Sequence, residues 1–165
     1  MKSIDCESEP GHGTIFKIYL PAIPAQKAIS KATTATTLPK RGTQTLLLVE
    51  DEKALRVMIG RILTKSGYTV LTACDGEEAL DLYKREPGKI SLVILDLMMP
   101  NMGGQKCLEE ILKIDTRAKV LIATGVSVEN ELSELAIKTG AKGSIHKPYD
   151  IGVLLTAVRD ILDRD

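Results

Sequence analysis

The chain has 165 residues, 44% of them hydrophobic and only 3% aromatic, which suits one domain with an aliphatic core plus an appendage. Lys and Arg balance Asp and Glu at 22 each, so no electrostatic footprint for nucleic acid is present. No apolar run approaches the roughly 20 residues that span a bilayer, and no signal peptide opens the chain; Cys6, Cys74 and Cys107, without Cys-x-x-Cys spacing, read as reduced cytosolic thiols.

Residues 1–20 read as two short strands around a turn. Thr14 to Leu20 is β-rich, and Glu9-Pro10-Gly11-His12-Gly13 supplies the turn chemistry. Residues 21–43 contain no carboxylate and carry Lys27, Lys31, Lys40 and Arg41 among Ala, Thr and Pro. They lack apolar periodicity and read as a flexible, solvated linker.

Residues 44–165 alternate strand and helix. Strands are expected at 45–49, 68–73, 91–95, 119–123 and 142–146. Helices are expected at 52–66, 76–85, 104–114, 128–139 and 150–162. Their apolar stripes include Leu55, Met58 and Ile62 in the first and Leu132, Leu135 and Ala136 in the fourth. The first, third and fourth strands are continuous apolar runs, the pattern of strands buried on both faces. The fold class is therefore α/β: a doubly wound (βα)5 parallel sheet with helices on both sides, preceded by a β-hairpin-like extension.

In such a sheet the carboxyl ends of the strands converge on one crevice. The ends here carry Glu50-Asp51, then Asp96, then Thr124, then Lys147. Taken singly, each acid could be a helix cap, Thr124 a strand-end hydroxyl and Lys147 a surface lysine. Together they make a different kind of site. Clustered acids raise one another's pKa unless a cation joins them. Mg²⁺ takes oxygen ligands, and a carboxylate can act as nucleophile toward phosphorus. The expected chemistry is transfer of a phosphoryl group onto Asp96. Lys147 would neutralise charge and Thr124 would donate a hydrogen bond. Positioning does most of that work, and neither His12 nor His146 reads as a general base.

Four ordered segments carry a family resemblance: Leu47-Leu48-Val49-Glu50-Asp51-Glu52, Leu95-Asp96-Leu97-Met98-Met99-Pro100, Ala123-Thr124-Gly125 and Lys147-Pro148-Tyr149. Residues 44–165 resemble receiver domains of two-component response regulators. The resemblance implies a flavodoxin-like sheet of order 2-1-3-4-5 and Asp96 as phosphoacceptor. It implies Mg²⁺ held directly by Asp51 and Asp96, by Glu50 through water, and by the Met98 carbonyl. The backbone N–H groups of Met98 and Gly125 would face the phosphoryl oxygens. A cis peptide is implied at Lys147–Pro148. The donor would be a phosphohistidine on a histidine kinase or a histidine phosphotransfer protein.

Two positions depart from the family pattern. Ser144 stands three residues before the lysine, where an aromatic side chain normally couples to the Thr, so an aromatic switch at that position is not expected. Pro100-Asn101-Met102-Gly103-Gly104 lacks the usual Asp before its last Gly, and a change of loop stiffness alone is expected. Met98 and Val126, two residues after Asp96 and Thr124, are apolar and cannot orient water, so a long-lived acyl phosphate is expected.

The segment Ser8 to Pro21 resembles the last glycine box and final strand of histidine-kinase ATP-binding domains. It lacks the nucleotide-binding parts upstream, so ATP binding by this chain is not expected. Kinase tail, linker and receiver, in that order, imply the C-terminal part of a hybrid histidine kinase whose parent could be membrane-anchored while this part is cytoplasmic. Nothing following the fifth helix reads as a DNA-binding output module. A hairpin parted from its domain would expose Phe16, Ile18 and Leu20, and it is expected either to dock on a neighbour, including a second copy, or to stay disordered. Alternatives are a receiver-like scaffold that never carries phosphate and an aspartyl phosphohydrolase. Met98 disfavours the second, because such enzymes place a second Asp two residues after the nucleophile.

Overall fold

The computed structural model describes residues 3–11, 13–19, 41–125 and 130–164. His12, Leu20, most of the expected linker and Val126 lie outside the described residues, as does the expected start of the fourth helix. The chain divides into two units, Met1–Ala35 and Thr36–Asp165.

The first unit holds an antiparallel hairpin of β1 (Ser3–Glu9) and β2 (Gly13–Tyr19). Its turn uses Gly11 and Gly13 at φ 83° and 92°, a conformation that costs glycine little. The register pairs Cys6 with Phe16 and Ile4 with Ile18, which places these four on one face. Phe16 and Ile18 stay 63% and 66% exposed.

The second unit is a five-stranded parallel sheet. Its elements are β3 (Thr45–Val49), α1 (Lys53–Lys65), β4 (Thr69–Ala73), α2 (Gly76–Arg85), β5 (Ile90–Asp96), α3 (Gly104–Ile114), β6 (Val120–Thr124), α4 (Asn130–Thr139), β7 (Gly143–His146) and α5 (Ile151–Asp163). The sheet order is β4-β3-β5-β6-β7, which counted within this unit is 2-1-3-4-5. Every pairing in it is parallel.

Strand periodicity sorts the core into two layers. Leu47, Val49, Val93, Leu95, Val120 and Ile122 face the side packed by α2, α3 and α4. Leu46, Leu48, Leu92, Ile94, Leu121 and Ala123 face the side packed by α1 and α5. Because β3, β5 and β6 lie inside the sheet, both faces are buried, and this is why their sequences read as unbroken apolar runs. Helix starts use local chemistry. Asp75 accepts from the Glu78 N–H at 2.9 Å, and Asp150 accepts from the Val153 N–H at 3.0 Å, which satisfies otherwise orphaned donors.

Element ends differ from the sequence reading by a residue or two. The stripe of α1 also turns. Ile59 and Leu63 are its buried residues, whereas Met58 is 49% exposed. In α4, Ala136 is buried and Leu135 is 47% exposed. A 3.6-residue period leaves two adjacent apolar positions compatible with one face, and only packing against the sheet selects between them. No helix among the described residues is long and apolar enough to cross a membrane.

Candidate phosphoacceptor site

The expected residues meet at the carboxyl edge of the sheet. Asp96 closes β5, Glu50 follows β3, Thr124 closes β6 and Lys147 follows β7. Their side chains are drawn together because parallel strands end at one level. Glu50, Asp96 and Thr124 are the buried polar side chains of this unit among the described residues, at 2%, 4% and 0% exposure. Such burial requires partners.

Lys147 is the central partner. Its Nζ lies 2.7 Å from Glu50 Oε2 and 2.7 Å from Asp96 Oδ2. The other Asp96 oxygen, Oδ1, accepts the Met98 N–H at 2.9 Å. Glu50 Oε1 accepts the Glu52 N–H at 3.4 Å. Burial pushes the Glu50 carboxyl above its ordinary value, against the pull of Lys147. Burial alone would lower the Lys147 ammonium. Its bonds to Asp96 and Glu50 outweigh that and hold it above its ordinary value.

Glu50, exposed Asp51 and Asp96 each present an oxygen, all within 4.8 Å of one another. This donor set fits a hard divalent cation. It is oxygen only, and three carboxylates face one ammonium. The Lys147–Pro148 peptide is cis, and Gly125 directly follows Thr124. Ser144 is exposed on β7.

Four contributors escaped the sequence reading. Arg56 donates from α1 to the carbonyls of Glu50 and Asp51, at 2.5 and 3.0 Å, and ties down the acidic loop. Tyr149 packs its ring 6.0 Å from Lys147 Nζ. Burial, then the charges of Glu50 and Asp96, keep its phenol protonated. His146 Nδ1 lies 3.1 Å from Thr124 Oγ1. Gly104 lies so close behind Asp96 that a Cβ would come within 2.1 Å of the Asp96 carbonyl oxygen. The last Gly of the 100–104 loop therefore leaves no room for a side chain behind Asp96. A Gly-Gly pair opening a helix was the available signal for that approach. Arg56, by contrast, had none.

A separate groove of 390 Å³ runs between α1 and β4, lined by Arg56, Val57, Gly60, Arg61, Thr64, Lys65, Val70 and Thr72. It contains none of the clustered acids.

Comparison with known proteins agrees with this geometry. The family described as response regulator receiver domain matches residues 46–159. Sensor kinase CckA of Brucella abortus is 34% identical over 168 residues, covering 98% of this chain; the chain spans only 18% of that kinase's length. Chemotaxis protein CheY of Treponema pallidum is 39% identical over 118 residues, 71% of this chain and 81% of that protein. Among solved structures, a response regulator receiver domain protein from Clostridium thermocellum superposes with a TM-score of 0.71 at 31% identity. It covers 73% of this chain and 95% of its own. The CheX-CheY-BeF3-Mg complex from Borrelia burgdorferi gives 0.69 at 32% identity, over 73% and 90%. Fold, strand-end residues and family match therefore agree, and this chain belongs to the response regulator receiver domain family of two-component signalling.

Proposed function

We propose that this chain accepts a phosphoryl group on Asp96 from a phosphohistidine, as one step of a phosphorelay. The observation that carries this reading is the bridge from Lys147 Nζ to Asp96 and Glu50, 2.7 Å each, with Met98 N–H on the remaining Asp96 oxygen. The carboxylate is buried, oriented by two donors, and shares its one ammonium with Glu50.

An Asp96 oxygen attacks phosphorus. The P–N bond of the donor breaks, its electron pair returns to the donor imidazole, and a mixed anhydride remains. Lys147 offsets the charge on the entering group, and the Thr124 hydroxyl would donate to it. Glu50, Asp51, Asp96 and the Met98 carbonyl would hold Mg²⁺, which supplies charge neutralisation on the phosphoryl oxygens. The backbone N–H groups of Met98 and Gly125 would face those oxygens. Little proton chemistry is required, so the protein's contribution is position and charge.

The donor is a histidine kinase or a histidine phosphotransfer protein. The hairpin at 1–20 fits the tail of a kinase ATP-binding domain, with 21–43 as linker and 44–165 as receiver. Supporting this, the similarity to the Brucella sensor kinase runs over 98% of the chain and so beyond the receiver. The parent is then a hybrid histidine kinase, with this part on the cytoplasmic side.

Intact mass after incubation with acetyl phosphate, with and without Mg²⁺ and beside Asp96→Asn, tests the reading. One Mg²⁺-dependent phosphoryl adduct is expected in the wild type and none in the variant. Absence of an adduct with acetyl phosphate and with a phosphorylated kinase, while Mg²⁺ binds, would leave a scaffold.

A further inference from the structure

Thr124 has one hydroxyl proton and more than one claimant for it. The side chain is fully buried at the end of β6. Its Oγ1 lies 3.1 Å from His146 Nδ1 and 3.5 Å from the Ile145 carbonyl, the longer and weaker contact. The His146 contact follows from register. Thr124 and His146 are direct partners in the parallel β6–β7 ladder. Ile145 points into the layer shared with α1 and α5, so His146 points to the opposite face, as does Thr124. The imidazole itself is exposed at the edge of the sheet.

A hydroxyl donates once and accepts twice, whereas an imidazole nitrogen either donates or accepts. With Nδ1 bare, the Thr124 proton goes to the ring and is turned away from Asp96. With Nδ1 protonated, the ring donates to Oγ1, and the hydroxyl proton is free for a phosphoryl oxygen. Thr124 directly follows Ala123, the register partner of Asp96. We propose that His146 is a positioning residue whose Nδ1 proton decides whether the Thr124 hydroxyl can donate to a phosphoryl group on Asp96. This inference rests on Asp96 being the phosphoacceptor.

Two consequences follow. Phosphoryl occupancy and the proton on His146 favour each other, because coupling between two sites is reciprocal. Occupancy is also carried to the solvent-exposed β7 edge through an imidazole at position 146, although Ser144 offers no ring there. Lys142 and Lys147 flank its strand. Of the helices packed on β7, α4 carries Glu131, Glu134 and Lys138 on the face to which His146 points, and α5, on the opposite face, carries Arg159, Asp160 and Asp163 behind its N-cap Asp150.

The probe is beryllofluoride with Mg²⁺, a stable mimic of the phosphoryl group, titrated into the full chain and followed by ¹⁹F NMR. Wild type, His146→Ala and His146→Gln are compared between about pH 5 and about pH 8. Acidification also weakens Mg²⁺ binding by the carboxylates, but equally in all three proteins. The ratio of wild-type to His146→Ala affinity is therefore the readout. It is expected to fall by about fivefold as pH rises, the effect of one ordinary hydrogen bond. The ¹⁵N spectrum is expected to show Nδ1 gaining a proton when beryllofluoride binds. Parallel pH profiles with an unchanged ring signal would overturn the role of His146 and leave the Asp96 assignment standing. No beryllofluoride binding in any of the three, while Mg²⁺ still binds, would overturn the Asp96 assignment itself and this inference with it.

Discussion

Lys147 Nζ stands 2.7 Å from Asp96 Oδ2 although 51 positions separate the two residues in the chain. The same nitrogen reaches Glu50, a separation of 97 positions. One ammonium thus makes two buried acids compatible with folding. Replacing it as Lys147→Ala leaves Glu50 and Asp96 side by side, almost without solvent. We expect a loss of about 3–5 kcal/mol at neutral pH, the usual cost of stripping one partner from a buried pair. Mg²⁺, held as proposed above, should restore part of that loss, because it would bind only the folded arrangement of carboxylates. Urea unfolding with and without Mg²⁺ reads both effects, and an unchanged midpoint would show that the bridge adds nothing net.

Tyr83 predicts an alkaline limit. Burial, then the adjacent Asp115 carboxylate, raises its phenol to about 12, and its hydroxyl donates to Asp115 Oδ2 at 3.3 Å. The folded state therefore keeps this proton where the unfolded chain has already lost it. Its contribution to stability is complete below the ordinary value of 10.0 and is lost as pH rises from there to about 12. Tyr83→Phe should lose about 1 kcal/mol at neutral pH through the missing hydrogen bond. It should also show a shallower decline above pH 10 than wild type. Denaturant unfolding across that range would contradict the assignment if the two proteins declined in parallel.

Gly104 and Gly60 should respond in opposite directions to the same substitution. A Cβ at Gly104 would lie 2.1 Å from the Asp96 carbonyl oxygen and 2.7 Å from Leu97 Cα, both backbone atoms that cannot step aside. Gly104→Ala should cost about 1–3 kcal/mol and slow adduct formation by displacing Asp96. A Cβ at Gly60, inside α1, meets Thr72 Cγ2 at 3.9 Å, an ordinary contact. Gly60→Ala should gain about 0.5–1 kcal/mol from helix propensity. Thermal denaturation of both variants, with phosphorylation rates from acetyl phosphate, separates the two cases.

Met98 is expected to bear on how long a phosphoryl group proposed for Asp96 would last. Its side chain is 59% exposed beside Asp96 and offers water only a weak thioether acceptor. Val126, which lies outside the described residues, offers none. A double variant, Met98→Asn with Val126→Glu, should hydrolyse its phosphoryl group faster than wild type. Equal decay of the radiolabelled adducts would remove these positions from the account of hydrolysis.

Much of this protein was legible in the residues themselves because period and punctuation are local. Unbroken apolar runs identified β3, β5 and β6 as interior strands, and Gly67 and Gly140 marked helix ends, where both adopt positive φ. The site was legible because a parallel sheet brings its carboxyl ends to one edge, so Glu50, Asp51, Asp96, Thr124 and Lys147 could be gathered without coordinates. Tertiary structure alone decided which of two adjacent apolar positions in α1 faces inward, since Met58 and Ile59 satisfy the same helical period. It alone brought Arg56 to the Glu50 and Asp51 carbonyls and Gly104 behind Asp96. It also set the β6–β7 register that pairs Thr124 with His146. Those contacts depend on distances and angles between separate elements, and packing sets them, not the spacing of residues along the chain.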